Sequence, residues 1–279
     1  MTVPIFADVS MPGAAVSHAD FVTISAMLYD IAGIKLSDGK EGLVVSRLGK
    51  RMREVGVPTF TAYIERVRQD PAELREMIDR LTTNKTSFFR ESAHFDFLRT
   101  QALPSWGNRE VTIWSAGCSS GEEPYTLATV LYDYAQGGDA NGRILATDLS
   151  HRVLVKAKEG AYTTEMVRDI PAQTLNRHFD RVRDEKHDRW VAKQHLRSII
   201  RFGKLNLMED WPMRGPFDAI FCRNVMIYFD RETQERLVQR FSRLLAPDGF
   251  LFIGHSETLH SMKHDLRYVA PAAYAKAAS

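Results

Sequence analysis

Apolar residues recur at helical spacing through the first part of the chain. From Asp20 to Ile31 they return every three or four positions, which puts them on one face of a helix. Further helical patterns cover residues 38–55, 60–68 and 74–81. We therefore predict a small all-helical domain over residues 18–80, preceded by a loose N-terminal tail with little periodicity.

From Glu110 onward, short apolar runs typical of buried strands alternate with helical patterns. The strands are predicted at 111–114, 143–148, 217–222 and 250–253, and helices at 125–131 and 231–245. Such alternation indicates a parallel sheet covered by helices. The predicted fold class is therefore α/β, with a doubly wound, Rossmann-like sheet in a second domain over residues 81–279.

The alternation breaks between residues 177 and 202. Two runs there, 190–192 and 198–202, have the character of short strands and predict a small antiparallel β insert. The segment 182–189 within it is rich in charged residues and contains no glycine.

Composition narrows the functional class. The chain has 279 residues, 44% of them hydrophobic and 26% charged, as in ordinary soluble globular proteins. The first seven residues lack the pattern of a secretory signal, and no apolar run approaches a membrane span. Two cysteines are too few for a disulfide scaffold and favour a reducing compartment. We therefore expect a cytoplasmic protein, and a net charge of +2 gives no indication of nucleic acid binding.

The most informative segment is 114–125, where a predicted strand turns into a helix through Gly117 and Gly121. Such a turn brings backbone N–H groups close to a ligand, and doubly wound sheets bind nucleotide-like cofactors there. The spacing differs from GxGxxG, and Glu122 and Glu123 would repel a pyrophosphate. S-adenosylmethionine, which has no phosphates and carries sulfonium and ammonium cations, fits better than NAD or ATP.

Two further residues follow predicted strands. Asp148 ends the second strand, where an acid can accept hydrogen bonds from both ribose hydroxyls; the alternative is an N-cap of the next helix. Arg223 follows the strand at 217–222, where enzymes that methylate amino groups carry a DPPY or NPPY motif. An arginine there suggests an anionic acceptor, or else a structural side chain that binds backbone carbonyls.

Several motifs have to be considered together. They are Asn84-x-Thr86-x-Phe88-Phe89-Arg90-Glu91, Trp114-Ser115-Ala116, Gly121-Glu122-Glu123-Pro124-Tyr125, Asp148, Asn206-Leu207, the segment 217–229, and Gly254-His255-Ser256-Glu257. Together they resemble the CheR-type chemotaxis receptor-glutamate methyltransferases. The likeness covers about residues 20–275, and the string FCRNVMIYF is highly specific.

The resemblance implies a protein-glutamate O-methyltransferase with S-adenosylmethionine as cofactor. It would methylate glutamate side chains in the cytoplasmic methylation region of chemoreceptors, the methyl-accepting chemotaxis proteins, and so form methyl esters. Tyr228 would lie near the transferred methyl group. The positions that would contact the cofactor are Asn84, Thr86, Arg90, Glu123, Asp148, Asn206, Leu207, Arg223 and Asn224.

The chemistry of such an acceptor sets what the site needs. A glutamate has a pKa of about 4.3 and is already ionised at neutral pH, so we expect neither a general base nor a metal. The site must align the reacting atoms and desolvate the anion. We predict Arg90 and Tyr228 as catalytic residues, with Arg90 orienting either the acceptor or the cofactor carboxylate; the alternative for Arg90 is a connector salt bridge. Three histidines, His255, His260 and His264, lack a cysteine or acid to complete a metal set.

A second interaction surface is predicted on the helix at 38–55. Its outer face carries Arg47, Lys50 and Arg53. This face is either ordinary solvated surface or, as the resemblance implies, a docking surface for the acidic methylation region of a receptor.

Three points remain open. Some CheR-type enzymes bind a tethering peptide from the receptor C-terminus on a β-subdomain with glycines in its loop, and the lack of glycine in 182–189 argues against this here. The acceptor could also be a small carboxylic acid, or the chain could be a cofactor-sensing module without transfer. The basic helix favours a macromolecular acceptor, and the intact Arg90, Asp148, Arg223 and Tyr228 disfavour an inactive sensor.

Overall fold

The computed structural model describes residues 15–135, 138, 140–183 and 188–276. The chain forms two compact units that divide between Thr83 and Asn84, and we call them the helical unit and the sheet unit. Most of the predicted N-terminal tail lies outside the described residues.

The helical unit confirms the predicted all-helical domain. Its helices among the described residues are α1 (His18–Ala32), α2 (Glu41–Glu54), α3 (Phe60–Gln69) and α4 (Pro71–Leu81). Ser17, Thr59 and Asp70 start α1, α3 and α4, because each side chain accepts a hydrogen bond from a first-turn N–H group. The apolar faces of the helices meet in a buried core of Phe21, Ile24, Leu28, Val44, Leu48, Met52, Tyr63, Val67 and Met77.

One carboxylate lies inside this helical core. Glu73 is 1% exposed and accepts hydrogen bonds from Arg51 Nε at 2.9 Å, Arg51 Nη2 at 2.7 Å and Tyr63 Oη at 2.9 Å. Arg66 Nε lies 3.6 Å from the same carboxylate. The hydrogen bonds from Arg51 hold the pKa of Glu73 below its usual value.

The sheet unit contains a seven-stranded sheet and a three-stranded sheet. The strands are β1 (Val111–Ala116), β2 (Gly142–Asp148), β3 (Ala161–Thr163), β4 (Phe179–Arg183), β5 (Asp188–Ala192), β6 (Ile200–Lys204), β7 (Phe217–Cys222), β8 (Leu245–Ile253), β9 (Leu266–Ala270) and β10 (Ala273–Lys276). In the large sheet the order is β6-β2-β1-β7-β8-β10-β9. The first five strands run parallel, and β10 is antiparallel to both of its neighbours. The predicted α/β, Rossmann-like fold class is confirmed.

Helices cover both faces of the large sheet. They are α5 (Ala93–Phe97), α6 (Leu103–Trp106), α7 (Glu122–Tyr134), α8 (His151–Glu159), α9 (Ala172–His178), α10 (Gln194–Ser198) and α11 (Arg231–Leu244). Successive strand residues point to opposite faces, so Ile113 packs in the cluster that includes α7, and Trp114 packs in the cluster that includes α11.

The small antiparallel sheet has the order β3-β5-β4. One predicted strand of the insert lies elsewhere, because Ile200–Lys204 pairs in parallel with β2 at the edge of the large sheet. Ile200 is buried and its neighbour Arg201 is exposed, so the start of this strand alternates between a buried and a solvated side chain. This alternation is also typical of a half-buried antiparallel strand, and the sequence pattern does not separate the two.

Candidate active site

The predicted cofactor residues lie along the edge of the large sheet that is formed by the carboxyl ends of its parallel strands. Strands β6, β2, β1 and β7 are parallel neighbours, so their carboxyl ends lie side by side. Asp148 ends β2, Asn206 follows β6 and Arg223 follows β7. The Leu205 N–H group donates to the Asp148 carbonyl at 3.0 Å and joins two of these ends. Ligands of open α/β sheets bind at this edge.

The loop after β1 needs glycine at two positions. Gly117 has φ +85° and Gly121 has φ +99°, a region that side chains with a Cβ rarely adopt. A Cβ on Gly117 would also lie 2.4 Å from Val225 Cγ2. The loop therefore comes close to the segment after β7, as the turn at 117–121 predicts for a ligand-binding loop.

Asp148 organises this loop. Its Oδ2 accepts from the Ser119 N–H group at 2.8 Å, and its Oδ1 accepts from the Ser150 N–H group at 2.9 Å. The N-cap of α8 is Ser150, so the N-cap alternative for Asp148 is wrong. A carboxylate oxygen can accept more than one hydrogen bond, and this geometry is compatible with a ribose contact.

The segment 84–92 is bonded to the same loop and to the helix α7 that follows it. Ser119 Oγ donates to the Asn84 carbonyl at 2.9 Å, and the Phe89 N–H group donates to Thr126 Oγ1 at 3.2 Å. Arg90 Nη1 donates to the Lys85 carbonyl at 2.8 Å, and Arg90 forms no ion pair among the described residues. The salt bridge that was the alternative for Arg90 is therefore not found among the described residues. Thr86, a further predicted cofactor residue, is half-buried on the same segment.

Arg223 is buried between two carboxylates. Its Nη1 lies 2.9 Å from Glu123 Oε2, and its Nη2 lies 3.1 Å from Glu91 Oε2 and also donates to the Arg90 carbonyl. Ser115 Oγ donates to the other Glu123 oxygen at 2.7 Å. Burial raises the pKa of Glu123, against the opposing effect of Arg223.

This arrangement corrects one sequence interpretation. Both terminal nitrogens of Arg223 are bonded to groups of its own chain, so they are not presented to an anionic acceptor. Its Nε is buried with no hydrogen-bond partner among the described residues. The three side chains Glu91, Glu123 and Arg223 together carry a net negative charge when the glutamates are ionised. That charge suits a cofactor with ammonium and sulfonium cations, and the residues therefore fit S-adenosylmethionine.

The remaining predicted residues lie on the loops after β6 and β7. Asn224 has φ +57°, and its Nδ2 lies 3.3 Å from Glu91 Oε1. Tyr228 ends a 3₁₀ turn (Met226–Tyr228) and is half-buried. Asn206 Oδ1 accepts from the Met208 N–H group at 3.0 Å, and Leu207 packs against the α11 side of the core.

Two acids of the motifs, Glu91 and Glu257, have contacts that the sequence did not predict. Glu91 bonds Arg223 and Asn224, and Glu257 accepts from the Asn224 N–H group at 3.0 Å. The position of Glu257 could have indicated such a contact, because it lies in the turn directly after β8, the next parallel strand along the sheet.

A group of metal-binding residue types lies beside Arg223. Among the described residues, Glu91, His94 and His255 have ligand atoms within 4.8 Å of one another, and His260 and His264 are not part of the group. Burial lowers the pKa of His94 to about 4, so its ring is neutral at neutral pH. Glu91 is already bonded to Arg223 and Asn224, and we assign no metal to the group.

The basic face of α2, within the helical unit, divides into two parts. Arg47 Nη1 donates to the carbonyls of Leu81 at 2.5 Å and Thr82 at 3.0 Å, at the end of α4. Lys50 and Arg53 are exposed, and neither forms an ion pair within the described part of the chain. Arg47 therefore has a structural contact that the helical pattern did not predict. The predicted loop at 182–189 lies partly outside the described residues, so its glycine-free tip has no structural account.

Comparisons with known proteins cover both units. Residues 84–274 match the family model described as CheR methyltransferase, SAM binding domain, and residues 19–82 match CheR methyltransferase, all-alpha domain. The chain is 42% identical over 262 residues to a chemotaxis protein methyltransferase of Borreliella burgdorferi, which covers 90% of this chain and 91% of that protein. It is 39% identical over 264 residues to the chemotaxis protein methyltransferase of Salmonella typhimurium, covering 94% and 91%. None of the described helices has the length and apolar character needed to cross a membrane.

Proposed function

This chain belongs to the CheR methyltransferase family and is an S-adenosylmethionine-dependent methyltransferase of chemotaxis, and we propose that its acceptors are glutamate side chains of chemoreceptors. The products would be glutamyl methyl esters, formed in the cytoplasm on the receptor methylation region during adaptation. The observation that carries the proposal is the segment after β7. Where amino-group methyltransferases present a DPPY or NPPY tetrapeptide to a neutral nitrogen, this segment has Arg223 and Asn224 bonded to the chain's own glutamates. It therefore lacks the groups that bind an amino acceptor, and an acceptor that is already an anion does not need them.

Each site residue then has a role. Bound S-adenosylmethionine supplies an electrophilic methyl group on a sulfonium. Asp148 binds the ribose hydroxyls, and the anionic cluster of Glu91, Glu123 and Arg223 attracts the cationic methionyl end. Asn84, Thr86, Asn206, Leu207 and Asn224 complete the cofactor contacts.

Transfer to a carboxylate requires no proton movement. The acceptor carboxylate is already ionised at neutral pH, so the bound cofactor would supply the methyl group and the residues of the chain would not have to remove a proton. Arg90 orients the acceptor carboxylate and Tyr228 lines up the methyl group, so the protein contributes alignment and exclusion of water.

The receptor would approach through the outer face of α2. Lys50 and Arg53 are exposed cations without ion-pair partners among the described residues, which suits an acidic helical target. This surface favours a macromolecular acceptor over a small carboxylic acid. We propose no tethering peptide for the β insert.

The deciding experiment is methylation of receptor-bearing membranes with radiolabelled S-adenosylmethionine. We expect label in the receptor that is released as methanol by mild base, as an ester requires, and no inhibition by EDTA. The matched control is the same receptor with its methylation-region glutamates replaced by alanine. Label on small carboxylic acids instead of the receptor would favour a small-molecule methyltransferase. Cofactor binding without any transfer would favour a sensing module.

A further inference from the structure

The turn after β8 lies against the segment that carries Asn224 and Tyr228. Strands β7 and β8 are parallel neighbours with Cys222 opposite Ile253, so the residues that follow them run side by side. The approach is close: a Cβ on Gly254 would lie 2.5 Å from Asn224 Nδ2 and 2.8 Å from Asn224 N. Because the glycine admits this contact, the Glu257 carboxylate can reach the backbone of the neighbouring segment.

Glu257 collects backbone N–H groups from both sides of this contact. Its Oε2 accepts from Asn224 N at 3.0 Å and from Gly254 N at 2.5 Å, and its Oε1 accepts from Ile227 N at 3.1 Å. Burial raises the pKa of this carboxylate, and the backbone N–H groups of Gly254, Asn224, Ile227 and Met226 oppose that rise. Asn224 is in the left-handed region, and Met226 and Ile227 begin a 3₁₀ turn, so these N–H groups have no partner in a regular helix or strand.

All of these partners are hydrogen-bond donors, so this position requires a side chain that only accepts hydrogen bonds, and a carboxylate is such a group. An ionised glutamate only accepts hydrogen bonds, whereas a glutamine would present its own N–H groups to part of this set. These hydrogen bonds are partly buried at Asn224 and Gly254 and exposed at Ile227, so without the carboxylate the loop would relax until its N–H groups reach water or another acceptor. The loop conformation therefore depends on the charge and length of this one side chain.

We propose that Glu257 is a positioning residue for methyl transfer, whose carboxylate fixes the segment 224–228 and thereby the geometry of Asn224 and Tyr228. The role of Tyr228 rests on the proposed function. Glu257 itself acts through backbone N–H groups and is not assigned a contact with the acceptor.

The test compares Glu257→Gln with Glu110→Gln in the full chain. Glu110 is an exposed glutamate at the other end of β1, 2.8 Å from Arg143, and serves as the matched control. In Glu257→Gln we expect kcat for receptor methylation to fall at least tenfold, with the receptor KM within twofold of the starting protein. The amides of Asn224, Met226 and Ile227 should exchange hydrogen at least tenfold faster, while the amides of β7 and β8 keep their rates. Glu110→Gln should change none of these quantities.

A second variant separates positioning from general stability. Glu257→Asp keeps the charge on a shorter side chain, and we expect it to recover part of kcat and part of the amide protection. Unchanged kcat and unchanged exchange at the three amides in Glu257→Gln would overturn the proposal, and so would faster exchange spread evenly through the sheet unit. If the starting protein does not methylate receptors, the proposed function fails. The exchange rates, measured with and without S-adenosylmethionine, still decide whether Glu257 holds the loop.

Discussion

Each unit of this protein has an arginine–glutamate network, and the most buried member is a carboxylate in the helical unit and a guanidinium in the sheet unit. In the helical unit one carboxylate, Glu73, lies among Arg51, Arg66 and the Tyr63 hydroxyl. In the sheet unit one guanidinium, that of Arg223, lies between Glu91 and Glu123.

We propose that the first network is structural and that the second binds the cofactor. The pKa of Glu73 is lowered by the hydrogen bonds from Arg51, so its charged form is well satisfied without a ligand. The pKa of Glu123 is raised by burial, so its hydrogen bonds from Arg223 and Ser115 do not fully compensate its charged form. A buried network with surplus negative charge becomes fully compensated when a cation binds, and cationic groups are what the cofactor provides.

The largest effect is expected from Arg223→Met. It leaves two buried carboxylates without their counter-charge, which should cost about 3–5 kcal/mol of unfolding free energy and abolish measurable cofactor binding. Urea unfolding followed by tryptophan fluorescence reports on the sheet unit alone, because all four tryptophans lie there. The counterpart is Arg51→Met, where Glu73 keeps Arg66 and Tyr63 and the cost in the helical unit should be about 1–2 kcal/mol by hydrogen exchange. Equal costs would remove the distinction between the networks.

Neutralising one glutamate in each network should separate binding from stability. Glu123→Gln removes a negative charge next to the proposed methionyl site and should weaken S-adenosylmethionine binding by about 1.5–3 kcal/mol, measured by calorimetry. Glu73→Gln should destabilise the helical unit by about 1–3 kcal/mol and leave the cofactor Kd unchanged. An unchanged Kd in a folded Glu123→Gln protein would remove Glu123 from the site.

A smaller effect is expected on the surface of the helical unit. Reversing Lys50 and Arg53 to glutamate should raise the receptor KM severalfold, since exposed charges contribute about 0.2–1 kcal/mol each, and should leave cofactor affinity unaltered. The rate of the starting protein at low receptor concentration should fall as salt rises. Arg47→Met should instead cost about 1 kcal/mol of stability through its lost carbonyl bonds, with normal salt dependence. Salt-independent kinetics would mean that this face is ordinary solvated surface and not a docking surface for the receptor.

The smallest expected effect is a pair of opposite pH dependences. The lowered pKa of Glu73 contributes stability above the unfolded-state value of about 4.3, and this is lost as pH falls through the folded-state value. The raised pKa of Glu123 has the opposite sign: without ligand, the sheet unit should lose stability as pH rises from about 4.3 through the folded-state value. Unfolding of the two units should be measured between about pH 2 and 7, and Glu73→Gln and Glu123→Gln should each abolish the slope of the unit that carries the substitution. Slopes of the same sign would contradict this assignment.

Local patterns in the sequence determined much of this protein. Helical periodicity predicted the four helices of the first unit, and short apolar runs predicted the central strands. The carboxyl ends of parallel strands share one edge, so Asp148 and Arg223 could be predicted to meet although they are far apart in the chain. Asn206 was expected there only from the resemblance, because the strand before it was predicted in the β insert. The glycine turn at 117–121 further indicated a ligand without phosphates.

Only the tertiary structure decided the partners of those residues. Arg223 pairs with Glu123 across 100 positions and with Glu91 across 132, and Glu257 reaches a segment about 30 positions away. The same holds for the strand Ile200–Lys204 in the large sheet and for Arg47 at the end of α4. Periodicity reports which face of its own element a side chain occupies. The balance of charge and hydrogen bonds around that side chain depends on which distant segments fold against it.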